Sequence, residues 1–192
     1  GSVAITQNNP NATEDMVAKV FAEGMAKYCP DLTILPVEFE GPEPTGAIAV
    51  ATSIMQAHPD LVAALSTTGG GPTTWAGAQK ETGKQIVAAG MDATRVNLDL
   101  VKNGEVWGLV AQPLYEETKG SAELLYKIVN GEEVPYWTVL EAPLVTKDDY
   151  MVTIYRGIHD QVAKGVPLKG LFAEALGRVG GVNKGKGGSP HI

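Results

Sequence analysis

Leu61-Val62-Ala63-Ala64-Leu65-Ser66-Thr67-Thr68-Gly69-Gly70-Gly71-Pro72 is the stretch that decides the fold class. Five apolar residues in succession, ended by a hydroxyl- and glycine-rich turn, read as a strand buried on both faces. A helical pattern follows from Thr73 to Thr82, and Gly83 suits its C-terminal cap. Downstream the alternation repeats: a strand over Gln85–Met91, a helix over Thr94–Asn103 closed by Gly104, and a strand over Glu105–Ala111. Upstream, Val3-Ala4-Ile5-Thr6 is a short apolar strand. The helix after it is capped by Asn11 or Thr13, with Met16, Val17, Val20, Phe21 and Tyr28 on one face. Leu32–Phe39 reads as the second strand, and Thr45 can cap a second helix that runs through His58 with Ile48, Ala51 and Met55 inward. Strand–helix alternation of this kind predicts βαβ units with right-handed crossovers, hence an α/β, three-layer lobe on a parallel sheet.

Composition narrows the function. The 192 residues suit one domain, or one and a fraction. The net charge of −7 opposes a nucleic-acid partner, because phosphate binding needs clustered Lys and Arg. Cys29 stands alone, so no intrachain disulfide is available, and it reads as a semi-buried small apolar residue. The three histidines are scattered and no CxxC or HExxH spacing occurs, so no metal site and no cofactor are expected. Gly69-Gly70-Gly71 lacks the GxxxxGK[ST] of a P-loop and the GxGxxG of a dinucleotide turn. No segment approaches the about 20 apolar residues of a membrane span. No secretory leader pattern opens the chain, which reads as a mature or trimmed form.

In open parallel sheets, ligands bind outside the carboxyl ends of the strands. That rule selects four polar or glycine-rich stretches: Gln7–Asn11, Ser66–Gly71, Asp92–Arg95 and Gln112–Tyr115. Beyond Pro113 the pattern changes to a long amphipathic helix over Glu116–Asn130, a strand over Val134–Leu140 and a helix over Asp149–Lys164. From Gly165 glycine and lysine rise as in a flexible tail.

Several strings occur in a recognisable order. They are His58-Pro59-Asp60-Leu61, Ala78-Gln79-Lys80-Glu81-Thr82-Gly83-Lys84, Val87-Ala88-Ala89-Gly90-Met91-Asp92, Lys102-Asn103-Gly104-Glu105-Val106, Val110-Ala111-Gln112-Pro113 and Asn130-Gly131-Glu132-Glu133-Val134-Pro135. Together, over about Gly1 to Lys147, they resemble the type I periplasmic binding proteins that deliver sugars to ABC importers, the ribose-binding group especially. The resemblance implies a non-enzymatic, periplasmic protein that binds a small polyhydroxylated solute and docks on a transporter permease. It also implies that residues 1–112 form a C-terminal-type ligand-binding lobe, that 113–147 cross to the other lobe, and that 148–192 are a terminal helix and tail. The opening elements of the N-terminal lobe are expected to lie outside this chain. The family often has an asparagine where Thr67-Thr68-Gly69 stands, and an arginine where Thr13-Glu14-Asp15 stands, so the ligand is expected to differ from a plain pentose. A LacI-type regulator or a receptor ectodomain uses the same lobe and is the alternative.

The candidate ligand-binding residues are Asn9, Asn11, Glu14, Thr68, Asp92 and Gln112. A carboxylate at Asp92 can accept two sugar hydroxyls through charge-assisted bonds, and capping the next helix is its other reading. The Gln112 amide donates and accepts at once, which suits a hydroxyl pair, or else bonds hinge backbone. Asn9, Asn11 and Glu14 share the first loop and helix start, where capping is the competing role, and Thr68 is otherwise a turn hydroxyl. Trp75 is expected in the core. The segment after the crossing has Leu124, Leu125, Ile128, Val129, Tyr136, Trp137, Val139 and Leu140 without partners in this chain. That predicts either a homodimer or contact with a separate chain carrying the other lobe.

Overall fold

The structure is a computed structural model and describes residues 1–148. Its sheet runs β2-β1-β4-β5-β6-β7, with β3 also pairing β1. The strands are β1 (Ser2–Gln7), β2 (Thr33–Ile34), β3 (Glu38–Phe39), β4 (Leu61–Ser66), β5 (Val87–Met91), β6 (Gly108–Val110) and β7 (Leu144–Thr146). The helices are α1 (Ala12–Tyr28), α2 (Pro44–Ala57), α3 (Gly71–Thr82), α4 (Arg95–Asn103) and α5 (Leu114–Val129). All pairings are parallel except β6 with β7, which closes the edge antiparallel.

The single strand expected over Leu32–Phe39 is two short pieces. β2 pairs with the start of β1 (Val3 with Ile34) and β3 with its end (Thr6 with Glu38), so the edge spends one residue more than β1 between them. Pro36 lies in that gap, and a proline that cannot donate to the ladder is confined to such an edge break. The expected cap at Thr45 is not used. Glu43 holds the N-cap position without a side-chain bond, and Pro44 follows, a residue with no N–H to satisfy. The fifth strand shrinks to Gly108–Val110, because Gly104 turns left-handed and the N–H groups of Glu105 and Val106 donate back to Leu100 O.

The core lies between the sheet and α2–α3. Ala4, Leu61, Ala64 and Ala88 from the strands meet Ala51, Ile54, Met55, Trp75 and Ala78 from the helices. Alanine on the strands lets the two helices sit close. A Cβ on Gly77 would stand 2.7 Å from the Ile48 side chain, so that glycine sets the α2–α3 approach. A smaller cluster of Val101, Val106 and Leu109 packs α4 on β6. On α1 the expected apolar face is only partly covered. Ala18 is buried and Val17, Phe21 and Met25 are half-buried, but Met16, Val20 and Tyr28 are exposed.

After β6 the correspondence changes. α5 begins at Leu114, close to expectation, yet none of its residues is buried. Val134–Leu140 is not a strand. A strand needs a neighbour to take its N–H and C=O groups, and the edge beside β6 is occupied by Leu144–Thr146 instead. The helix expected over Asp149–Lys164 and the tail from Gly165 lie outside the described residues.

Candidate functional site

The chain leaves β1 toward β2 on one side and leaves β4 toward β5 on the other, so the direction of winding reverses between these neighbours. Their carboxyl ends, Thr6–Gln7 and Ser66–Thr67, therefore flank the topological switch point, where such sheets hold ligands. Thr6 is in register with Ser66, and the N–H of Thr67 donates to Thr6 O at 2.9 Å. The sequence-selected stretches converge here. Asp92 follows β5 and its N–H donates to Val110 O, and the Asn97 amide donates both to Gly69 O at 2.9 Å and to Asp92 O at 3.0 Å.

Glu14 braces the crevice. Asn11 caps α1 by accepting the Glu14 N–H at 2.9 Å, and the Glu14 carboxylate reaches back to Asn11 Nδ2 and Asn8 N, each at 2.8 Å. This resembles a capping box, except that the carboxylate takes the Asn11 side-chain amide and the Asn8 N–H in place of the N-cap backbone N–H. The same carboxylate accepts the Thr67 hydroxyl at 2.8 Å, tying the first loop to β4 across the switch point. A second carboxylate, Glu40, is 4% exposed and accepts the hydroxyls of Ser66 at 3.2 Å and Thr68 at 3.0 Å. Thr68 Oγ1 in turn accepts the N–H groups of Gly70 and Gly71, which shapes the turn into α3. A Cβ on Gly71 would collide with the Ser66 side chain, so glycine is required where the backbone passes so close.

Asp92 is the most unusual member. It has a φ of 67°, a left-handed conformation that Asp and Asn tolerate better than most residues. Its carboxylate lies against Gly69, where a Cβ would collide with Oδ2, and its Oδ1 is buried without a hydrogen-bond partner. Burial pushes the Asp92 carboxyl above the usual range, and the negative charge of Glu117 on α5 adds to the effect. Asp92 does not cap α4; that role falls to Thr94, which accepts the Asn97 N–H. Gln112 is exposed and donates to Glu117 at 3.1 Å. Asn9 is exposed on the rim, with its carbonyl accepting Asn11 Nδ2. Trp75 is in the core, as its position suggested, and donates to Thr6 Oγ1.

Thus Asn11, Glu14 and Thr68 work inside the protein, Asp92 keeps an unpaired acceptor, and Asn9 and Gln112 form the rim. Sequence reasoning missed Glu40, Asn8, Thr67 and Asn97. Glu40 lies beyond the expected second strand in a charged, proline-rich stretch, and the pairing of β3 with β1, continued by its N–H bond to Gln7 O, brings it to the site. An apolar hollow of about 430 Å³ between α2 and the β2–β3 edge, lined by Leu35, Val50, Ile54 and His58, is remote from these polar groups. Among the described residues no His, Cys, Asp or Glu cluster is arranged to hold a metal, and no helix is long and apolar enough to cross a membrane.

Order, register and switch-point crevice define a doubly wound α/β lobe of the periplasmic binding protein type. The chain belongs to the periplasmic binding protein domain family, whose model matches residues 1–133. Among solved structures it is similar to a glucose-galactose binding protein from Geobacillus stearothermophilus, with 21% identity and a TM-score of 0.71 over 77% of this chain and 54% of that one. It is also similar to an ABC transporter solute binding protein from Agrobacterium vitis bound with α-D-tagatopyranose, at 22% identity and a TM-score of 0.73 over 78% and 51% of the two chains. An arabinose binding protein from Geobacillus stearothermophilus matches at 19% identity and a TM-score of 0.68 over 79% and 56%. The chain thus spans about half the length of these structures. Two curated proteins match over short stretches. The pyruvate dehydrogenase E1 component subunit alpha of Porphyra purpurea is 34% identical over 74 residues, 38% of this chain and 21% of that protein. The mitochondrial subunit of Dictyostelium discoideum is 42% identical over 48 residues, 25% and 13% of the two.

Proposed function

We propose that this lobe binds a small polyhydroxylated solute, a sugar or sugar derivative, at the strand-end crevice for delivery to an ABC importer in the periplasm, without chemical turnover. The observation that carries the reading is the buried, unpartnered oxygen of Asp92 at the switch-point end of the sheet. A buried acceptor without a donor is costly, and a ligand hydroxyl removes that cost. Solute binding proteins of similar fold with bound α-D-tagatopyranose and D-arabinose support the ligand class. Asp92 is the residue we place on the ligand, with Asn9 and Gln112 at its rim and Asn11, Glu14 and Thr68 holding the loops that shape it.

Residues 1–112 act as the ligand lobe, and 113–147 form an arm that crosses to a second lobe. One lobe offers only part of a ligand's contacts, and each 1.4 kcal/mol of lost interaction is about tenfold in affinity. Calorimetry on the full chain with neutral hexoses, pentoses and polyols is therefore expected to show saturable binding weaker than micromolar, with the sugar recovered unchanged. A folded protein that binds none of them would sink the reading. Sub-micromolar binding by a monomer would overturn the half-site part.

A further inference from the structure

Glu40 is a buried carboxylate whose hydrogen-bond directions can be followed atom by atom. It stands just past β3 with its N–H on Gln7 O at 2.7 Å, and it is 4% exposed. Its carboxylate meets two hydroxyls, Thr68 Oγ1 at 3.0 Å from Oε1 and Ser66 Oγ at 3.2 Å from each oxygen. A hydroxyl offers one hydrogen and two lone pairs. Both lone pairs of Thr68 Oγ1 are taken by the N–H groups of Gly70 and Gly71, at 3.2 and 3.1 Å. Ser66 Oγ likewise accepts the Thr68 N–H at 3.3 Å. The hydroxyl hydrogens remain, and both go to Glu40. The position therefore needs a group that accepts twice and donates nothing, which a carboxylate supplies. Gly70 and Gly71 open α3, so this carboxylate lies one hydroxyl away from the positive end of that helix.

Fixing these directions fixes the turn, and the turn touches Asp92. Gly69 lies against the Asp92 carboxylate, where a Cβ would collide with Oδ2. Gly69 O also shares the Asn97 amide with Met91 O and Asp92 O. Resting on the reading of Asp92 as the ligand contact, we propose that Glu40 is a positioning residue for solute binding. Through Thr68 it holds the Ser66–Gly71 turn, and the turn sets where the Asp92 carboxylate stands. Glu40 acts from within the protein, through its neighbours, and touches no ligand.

Glu40→Gln keeps the shape of the side chain and puts an amide donor where one acceptor stood. One of the two hydroxyls then loses its acceptor, or a backbone N–H loses its own. The full chain carrying this substitution is expected to remain folded by circular dichroism. Calorimetry and ligand-detected NMR with neutral hexoses, pentoses and polyols are expected to show binding weakened about tenfold, the loss of one charge-assisted contact. The amide signals of Gly69, Asp92 and Asn97 are expected to shift even without ligand. In an Asp92→Asn background the same substitution is expected to cost little further affinity, because the contact it positions is already gone. A role confined to stability would lower the melting temperature and leave affinity alone. Full affinity in folded Glu40→Gln, or an equal loss in both backgrounds, overturns the proposal. If Glu40→Gln does not fold, Thr68→Val cuts the same relay while leaving Ser66 on Glu40. A matching loss of affinity there supports the proposal, and full affinity overturns it. If the folded, unsubstituted chain binds none of these sugars, the sugar-site reading falls. The amide signals then decide the positioning by themselves, and an Asp92 signal that Glu40→Gln leaves in place overturns it.

Discussion

Two regions of this molecule obey the same amphipathic pattern and meet opposite fates. In residues 1–112, apolar side chains on α2, α3 and α4 find strands of the same chain. Trp75 is 0% exposed and even its indole N–H has a partner in Thr6. In residues 113–143, α5 and the stretch after it carry comparable side chains with nothing against them among the described residues: Leu125, Ile128 and Val129 are exposed, and Trp137 is 75% exposed. The difference is in partners rather than in pattern. An apolar stripe specifies that a surface is to be covered, while the chain segment that covers it has to be present. Among the described residues, that face has no cover.

Replacing the two tryptophans gives the sharpest contrast. Trp75→Ala is expected to cost about 3–5 kcal/mol, as removal of a fully buried aromatic does. Trp137→Ala is expected to change the stability of the isolated chain by less than about 0.5 kcal/mol. Denaturant titration of both variants decides it. A large loss at Trp137 would mean that the arm packs on its own lobe.

Assembly is the next break point. Light scattering at micromolar concentration is expected to show self-association or capture of the second lobe, and Leu125→Glu with Ile128→Glu should abolish it while the melting midpoint stays in place. A stable, well-folded monomer that ignores these substitutions would show that the exposed face is tolerated as it is.

Smaller effects belong to the crevice. Gly71→Ala is expected to cost about 1–3 kcal/mol by overpacking against Ser66, and Asn11→Ala about 1 kcal/mol through loss of the α1 cap. Thermal unfolding reads both, and a neutral Gly71→Ala would show that the turn can shift. The smallest is electrostatic. Burial and Glu117 raise the Asp92 carboxyl in the folded state, so the fold holds this proton more tightly than the unfolded chain does. Its stabilising share is full below the unfolded value of about 3.9 and is lost as pH rises through the folded one. Asp92→Asn should therefore raise the melting temperature at neutral pH, with the gain shrinking toward acid. A gain independent of pH would assign it to the backbone instead.

Much of the lobe is legible in the chain because its signals are local. The run Leu61–Leu65, the glycines at 83 and 104 and the Asn11–Glu14 spacing each act within a few residues. The misreadings arise where a segment's state depends on a distant neighbour. Val134–Leu140 has strand-forming residues but no strand beside it. Leu32–Phe39 reads as continuous, yet is divided where Pro36 interrupts pairing to β1. Asp92 and Thr68 stand just past strand ends, where the rule for parallel sheets puts candidate residues. Glu40 was not singled out, since its role comes from hydroxyls 26 and 28 residues away.

By itself the sequence determined the class of fold and the positions of most helices and strands, because periodicity, caps and turn residues act along the chain. Only the tertiary structure decided which carboxylates brace loops and which is left without a donor, and which apolar face is core and which is bare. Those outcomes depend on what stands across a gap of a few ångströms, and the chain brings such neighbours together only once it is folded.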